Sequence, residues 1–191
     1  MAEVSRFGAV TLDELPEDLR ERIGAIAEKS GFVPNVFLAL GHDPAQLRAF
    51  CDYHDAVMER DSGLSKAERE LVVVATSGAN HCTYCVVAHG AILRIRAKDP
   101  EIADHVATNP WTVPLPPRER AIVDLALVLA TEPARLSAEH LDAARAAGLD
   151  DDEIWDVGAI TALFALSNRM AHLTALRPNP EFFLMGRTPR T

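Results

Sequence analysis

Two cysteines, a histidine and a glutamate close together in the sequence are the side chains best suited to chemistry. Cys82 and Cys85 are spaced C-x-x-C, and His89 follows four residues after Cys85. On a helix, the spacing i, i+3, i+7 places these three side chains on one face. Glu70 stands twelve residues before Cys82. Two thiols, an imidazole and a carboxylate therefore lie within two otherwise apolar segments.

This set of side chains fits the reduction of peroxides by a dithiol. One thiolate attacks the O–O bond, and a second thiol converts the resulting sulfenic acid into a disulfide. A helix N-terminus and a nearby imidazolium both favour the thiolate and bring a thiol pKa from about 8.5 to about 7 or lower. We expect Cys85 to be the low-pKa thiol because His89 lies one helical turn away. Glu70 would orient His89 from the preceding helix, and Cys82 would close the disulfide.

Two other functions use the same residues. Glu70, Cys82, Cys85 and His89 are also four candidate ligands of a structural zinc-binding helical module. A lyase in which the cysteines are incidental is the third hypothesis. A c-type haem is excluded because Val86 follows Cys85 where histidine is required. No βαβ pattern surrounds the motif, which argues against a thioredoxin domain.

The sequence predicts an all-α protein, because alternation typical of strands is scarce and apolar residues recur at helical spacing. Helices are predicted at 15–29, 44–60, 66–80, 82–98, 101–108, 118–131, 137–147 and 151–176. The turn-rich residues 78–81 would join the third and fourth of these into a helical hairpin that carries the C-x-x-C motif. A single domain over residues 1–191 is expected, with an N-terminal helical extension at about 1–62, a redox-motif unit at about 63–108 and a second helical unit at about 116–177.

Several features outside the motif also carry expectations. Residues 65–75 align without gaps on residues 116–126, a weak internal repeat in which Ala121 replaces Glu70, although helix formers could match by coincidence. Trp111 is expected to pack as an anchor in a proline-rich linker, and the tail after residue 180 is expected to be extended. Asn168, Arg169 and His172 are polar residues in an apolar helix that could line a pocket, and internal hydrogen bonds are the expected role.

Composition limits the classes of partner. The chain has 191 residues, 48% of them hydrophobic, and a formal net charge of −9. The negative charge argues against nonspecific binding to nucleic acid or anionic membrane. No secretory leader or membrane-spanning stretch is recognised, so a cytoplasmic location is expected. Three cysteines do not form a disulfide scaffold, and in a reducing compartment C-x-x-C indicates redox activity or metal binding.

The pattern E-x11-C-x-x-C-x3-H in ELVVVATSGANHCTYCVVAH resembles the redox signature of the alkylhydroperoxidase D (AhpD) family, within the carboxymuconolactone decarboxylase-like group. GFVPNVFLAL, at residues 31–40, resembles its peroxidase-related subgroup. The resemblance implies that Cys85 attacks, that Cys82 is its disulfide partner, and that His89 and Glu70 form the proton relay. Tyr84 stands where AhpD proper often has histidine.

The same resemblance implies an all-α bundle that forms homo-oligomers, as dimers, trimers or hexamers. It implies a peroxide substrate and a dithiol reductant such as a lipoylated or thioredoxin-like protein, and we expect no bound cofactor or metal. Because the decarboxylase branch uses no C-x-x-C, the two cysteines favour the redox branch. The apolar helices at 118–129 and 154–176 also favour a homo-oligomer.

Overall fold

The computed structural model describes residues 4–187, and within that range the chain is all-α, as predicted, with no strand. No helix in the described range is long and apolar enough to cross a membrane. The α-helices in this range are α1 (Glu17–Ser30), α2 (Asn35–Leu40), α3 (Pro44–Met58), α4 (Lys66–Ala79), α5 (Thr83–Ala97), α6 (Ile102–Thr108), α7 (Pro117–Thr131), α8 (Ala138–Ala146) and α9 (Asp151–Thr174).

Helix α4 is the centre of the bundle. Its residues from Arg69 to Ser77 are all buried, and it packs against α5, α6, α7 and α9. A capping box starts the helix, as predicted: the Glu68 N–H donates to the Ser65 hydroxyl, and the Ser65 N–H donates to the Glu68 carboxylate at 2.7 Å. Side chains on α4 between Arg69 and Ser77 are therefore enclosed by the rest of the bundle.

The predicted hairpin of α4 and α5 is present, and its turn has a defined geometry. His81 takes the left-handed conformation, with φ 54°. Its N–H donates to the carbonyl of Gly78, and the N–H of Cys82 donates to the carbonyl of Ser77, both at 2.9 Å. This is the Schellman pattern that closes a helix. Cys82 is also the N-cap of α5, so the turn places the first cysteine at a helix N-terminus.

A buried ionic cluster fixes α9 against α4. The Arg69 guanidinium donates to Asp156 at 3.2 Å, to the Ser62 hydroxyl at 2.6 Å and to the carbonyls of Arg60 and Val57. Asp156 also accepts from Arg60 and from Ser62, at 2.8 and 2.6 Å. Arg69 and Asp156 are both 2% exposed. Loss of one member of such a pair typically costs about 3–5 kcal/mol, because the other charge stays buried.

The two copies of the weak repeat occupy matching positions. Ser65 and Pro116, which the alignment pairs, are the N-caps of α4 and α7. The two helices pack against each other in the bundle. Ala121 of α7 takes the place that Glu70 has in α4, so only the first copy carries an ionisable group there.

The expected role of Trp111 is wrong, because its side chain is 72% exposed. The linker is instead held by Arg120, which donates to the carbonyls of Pro110 and Val113 at 2.7 and 2.8 Å. Hydrogen bonds from the partly exposed Arg120 guanidinium replace the expected aromatic anchor, and this residue lies outside the linker sequence.

The expectation of an extended tail is also wrong for the residues that the structure describes. Pro180–Phe183 forms a 3₁₀ turn, and Phe182 is buried. Arg94 of α5 donates to the carbonyls of Phe182 and Met185, at 3.1 and 3.0 Å. Residues 188–191 of the expected tail lie outside the described range.

Gly78 lies where α4 crosses α6, and a side chain there is expected to destabilise the fold. A Cβ at this position would lie 2.7 Å from the carbonyl oxygen of Ala107 and 2.8 Å from its Cα. Because these are backbone atoms, we expect Gly78→Ala to lower the free energy of unfolding by about 1–3 kcal/mol in urea denaturation.

Gly24→Ala in α1 is the matched control. A Cβ at Gly24 meets no atom within 4 Å, so this change should raise the free energy of unfolding by about 0.5–1 kcal/mol through helix propensity. Equal stability of Gly78→Ala and the wild-type protein would show that the two helices do not approach closely.

Candidate active site

The four side chains predicted to act together lie on the α4–α5 hairpin. Glu70 is on α4, Cys82 caps α5, and Cys85 and His89 follow on α5. Cys82 and Cys85 are 1% and 2% exposed, and both are free thiols. The hairpin thus gathers the dithiol and a carboxylate–imidazole pair in the interior of the bundle.

Glu70 and His89 are in direct contact, as predicted. Nδ1 of His89 lies 2.8 Å from Oε2 of Glu70, and Glu70 is 5% exposed. Because an ionised carboxylate only accepts hydrogen bonds, Nδ1 carries the proton and Nε2 is the ring nitrogen that can take up another. The ring of Phe164 packs against the imidazole, nearly perpendicular to it, with centroids 4.7 Å apart. Carboxylate and aromatic ring together fix the tautomer and orientation of His89.

Cys82 has the environment of a thiolate. Interaction with the Cys85 thiol is the largest cause that lowers the pKa of Cys82, to about 6. The backbone N–H of Cys85, the positive charge of His172 and the amide of Asn168 lower this pKa further, while burial opposes them. The contribution of the Cys85 N–H follows from the N-cap position of Cys82, because the first turn of α5 offers free N–H groups there.

Cys85 has the opposite environment. Interaction with Cys82 and burial both raise the pKa of the Cys85 thiol. Its sulfur lies 3.7 Å from the hydroxyl of Ser167. Among the described residues no hydrogen bond joins His89 to either cysteine.

The environments of the two sulfurs therefore favour Cys82, and not Cys85 as expected, as the thiol with the lower pKa. Helical spacing predicted an interaction of His89 with Cys85, but His89 bonds to Glu70 instead. The N-cap position, and with it the stabilisation of negative charge, belongs to Cys82.

Two polar residues of α9, Asn168 and His172, support the turn that carries Cys82. The Asn168 amide donates to the Ser77 hydroxyl at 3.1 Å and accepts from the Asn80 amide at 3.1 Å. Nε2 of His172 lies 2.9 Å from the carbonyl oxygen of Asn80. The sequence predicted internal hydrogen bonds for Asn168 and His172, and these are present. It did not single out Ser167, although polar residues at 167, 168 and 172 interrupt an apolar helix.

Tyr84, between the cysteines, has a packing role. It is 4% exposed, and its hydroxyl accepts a hydrogen bond from the Val36 N–H of α2 at 3.1 Å. Burial raises the pKa of the Tyr84 phenol well above its usual value. The residue therefore ties the first turn of α5 to the N-terminal segment and is held in the neutral form.

A second histidine, His54 of α3, stands near the Glu70–His89 pair. Burial and the charge of His89 lower the pKa of His54, and its Nδ1 lies 3.2 Å from Asp55. Cys51, on the same helix, lies in the N-terminal part of the core, where burial raises the pKa of its thiol.

The geometry gives the zinc hypothesis no support. Within residues 4–187, no three side chains of histidine, cysteine, aspartate or glutamate stand close enough to hold a metal ion. Glu70 and His89 contact each other, and Cys85 contacts Ser167. These pairwise contacts replace the shared tetrahedral centre that structural zinc requires.

A cavity of about 450 Å³ lies elsewhere, beside the N-terminal half of α4 and the C-terminal half of α5. Leu71, Leu93 and Val113 line it, together with Glu68 and Glu119. None of the four candidate site residues lines this cavity. Since the two thiols are buried outside this cavity, a substrate reaches them only if neighbouring residues move.

The model of the carboxymuconolactone decarboxylase family matches residues 44–110, which include all four candidate site residues. The chain is 52% identical to a peroxidase-related protein from Ralstonia eutropha JMP134 whose crystal structure is called an alkylhydroperoxidase AhpD core. That match covers 100% of both chains with a TM-score of 0.97. A peroxidase-related protein from Silicibacter sp. TM1040 is 34% identical, with a TM-score of 0.88 over 93% of this chain and 94% of the other.

A more distant similarity links the chain to sestrin-2. The human protein is 26% identical over 145 residues, which are 74% of this chain. The chain spans only 27% of the length of that relative. The similarity therefore concerns one part of a much longer protein.

The order of the two thiol pKa values predicts an order of alkylation. Because only the thiolate reacts, alkylation of Cys82 by iodoacetamide should be constant above its pKa of about 6 and fall as the pH is lowered through that value. Cys85 should react appreciably only in alkaline solution. Peptide mass spectrometry measures the alkylation of Cys82 in the Cys85→Ser variant and that of Cys85 in the Cys82→Ser variant. Cys51 serves as an internal reference for a buried thiol. Faster alkylation of Cys85 than of Cys82 at neutral pH would contradict this order.

Proposed function

The chain belongs to the AhpD-like, peroxidase-related proteins of the carboxymuconolactone decarboxylase family, and from this membership we propose that it is a thiol-dependent peroxidase or a related dithiol oxidoreductase. The observation that carries the proposal is the Cys82–Cys85 pair at the N-terminus of α5, beside a buried carboxylate–imidazole pair. Peroxide is the electron acceptor, and a protein dithiol is the electron donor.

The first chemical step belongs to Cys82. Its thiolate attacks one oxygen of the peroxide ROOH, an S–O bond forms and the O–O bond breaks. The sulfur is oxidised to sulfenic acid, and the leaving alkoxide takes a proton and departs as the alcohol. This assignment exchanges the two cysteine roles that the family resemblance implied, because the lower pKa lies at Cys82.

The second step closes the disulfide. The Cys85 thiol gives up its proton, and its sulfur displaces the hydroxyl of the Cys82 sulfenic acid. That hydroxyl leaves as water once it has been protonated. A short C-x-x-C turn allows the short Cα separation that a disulfide requires. Thiol–disulfide exchange with the reductant restores both thiols.

Glu70 and His89 act as the proton relay in this scheme. Nε2 of His89 takes the proton from Cys85 and supplies one to the leaving oxygen, through the bound peroxide or a water. Glu70, 2.8 Å from Nδ1, holds the ring in this tautomer and offsets its charge when both nitrogens are protonated. A single buried pair can then serve both proton transfers.

The partners follow from the same chemistry. The reductant is a lipoylated or thioredoxin-like protein, whose dithiol reduces the Cys82–Cys85 disulfide by thiol–disulfide exchange. A reducing compartment such as the cytoplasm keeps that reductant in its dithiol form. Since Cys82 and Cys85 are almost fully covered, the side chains above the α4–α5 turn must move before a protein dithiol can reach the sulfurs.

Peroxide turnover with a dithiol reductant tests the proposal. The wild-type protein should consume cumene hydroperoxide with dihydrolipoamide as electron donor, and Cys82→Ser and Cys85→Ser should not. His89→Ala and Glu70→Gln should lower kcat by about 10²–10⁴-fold, because each removes part of the acid–base pair. His105→Gln, at an exposed position on α6, is the matched control and should turn over normally.

Two outcomes would count against this function. A wild-type protein that leaves every peroxide unreduced would favour a lyase of the decarboxylase type. Variants of His89 and Glu70 with normal kcat would show that these residues are structural.

We also propose that the protein is a homo-oligomer, and the outer face of α9 is the reason. Trp155, Leu166 and Leu173 are 70%, 54% and 53% exposed, and their spacing places them along one side of the helix. The apolar residues of α7 give no such argument, since most of them are buried within the protomer.

Light scattering at micromolar concentration should give a mass that is a multiple of 20.8 kDa. Leu166→Glu should lower that mass, because a charge on the apolar face opposes association. Glu139→Gln on α8, a charge change away from this face, should leave it unaltered. A wild-type mass of one protomer only would contradict the proposal.

A further inference from the structure

The C-terminal half of α9 lies against the turn that carries Cys82. It includes a histidine, His172, whose ring is positively charged when both of its nitrogens are protonated. His172 is exposed, whereas Asn168, one turn earlier, is 1% exposed. Both contact Asn80, which lies two residues before Cys82. The exposed end of α9 therefore brings an imidazole from solvent to the edge of the buried dithiol.

The contact with Asn80 fixes the imidazole. A carbonyl oxygen only accepts hydrogen bonds, so Nε2 of His172 carries a proton and Nδ1 is the nitrogen whose protonation changes the ring charge. Asn80 is held in turn by its own amide, which donates to the Thr76 carbonyl at 3.0 Å and to Asn168. The imidazole of His172 is thus anchored to Asn80, which is followed in the turn by His81 and Cys82.

We propose that His172 is a positioning residue that stabilises the Cys82 thiolate through its charge, and that it thereby sets the reactivity of the dithiol. This role rests on the proposed dithiol function. This role differs from that of the proton relay, because His172 transfers no proton to or from Cys82 and acts by its charge alone. Each cysteine then has its own histidine, His172 for Cys82 and His89 for Cys85.

His89, His54 and Tyr84 do not supply this charge. His89 is paired with Glu70, whose carboxylate offsets a positive ring. His54 lies beyond that pair, and burial disfavours its charged form. Tyr84 is held neutral by burial. His172 lies outside this group, and its charge is among the causes that lower the pKa of Cys82.

The same charge favours the reduced state of the dithiol. A disulfide carries no charge, so an imidazolium beside Cys82 stabilises the dithiol form and not the oxidised form. A thiol with a lower pKa is also the better leaving group when a reductant attacks the disulfide. His172 therefore makes the Cys82–Cys85 disulfide more oxidising and easier for the partner dithiol to reduce.

The test compares His172→Gln with His172→Lys, which keeps a positive charge without the imidazole. The pKa of Cys82, read from the pH dependence of its alkylation and from thiolate absorbance, should rise by about one unit in His172→Gln. In His172→Lys it should stay near the wild-type value of about 6. His105→Gln on α6, an exposed histidine elsewhere, is the matched control and should match the wild-type protein.

Two further readouts separate charge from structure. Because His172 is exposed, raising the salt concentration to about 1 M should bring the wild-type pKa towards that of His172→Gln. The disulfide of His172→Gln should also be up to tenfold harder to reduce in equilibrium with dihydrolipoamide, about 30 mV in potential.

Two results would overturn the role. One is an unchanged Cys82 pKa in His172→Gln. The other is an equal rise in His172→Gln and His172→Lys, which would show that the imidazole only supports the turn. These pKa measurements use no peroxide, so failure of peroxide turnover would overturn the proposed function without deciding the role of His172.

Discussion

The turn between α4 and α5 is the constraint on which the rest of the site depends. One residue, Cys82, closes the first helix through its N–H and begins the second as its N-cap. The left-handed conformation of His81 makes this possible without a longer loop. The first thiol therefore lies at a helix N-terminus and the second within the first turn, which is the arrangement that separates their pKa values.

Buried polar side chains hold α9 against the α4–α5 hairpin that contains this turn. Helix α9 is fixed to α4 at one end by the ion pair of Arg69 and Asp156. Further along, Asn168 bonds to the hairpin at Ser77 and Asn80. Because buried polar groups are costly unless they are satisfied, these contacts specify one register of α9 against the hairpin. A shift of that register would remove the groups that distinguish the two thiols.

Features governed by local sequence were predictable, and features governed by distant residues were not. The C-x-x-C hairpin, the capping box at Ser65 and the contact of Glu70 with His89 depend on short-range spacing, and the structure confirms them. The order of the thiol pKa values depends chiefly on the interaction between the two thiols, and the smaller contributions of Asn168 and His172 come from α9, more than eighty residues away in the sequence. The linker around Trp111 is likewise held from outside its own sequence, by Arg120, which donates to the carbonyls of Pro110 and Val113.

The most direct test is a single turnover of the fully reduced protein with one equivalent of an alkyl hydroperoxide and no other reductant. We predict that one molecule of alcohol forms per protomer and that the peptide containing Cys82 and Cys85 loses two hydrogens, while Cys51 stays reduced. Stopping the reaction in Cys85→Ser should trap a sulfenic acid on Cys82. Peroxide that remains intact beside two free thiols, or oxidation that falls on Cys51 instead, would contradict the assignment of this pair as the redox centre.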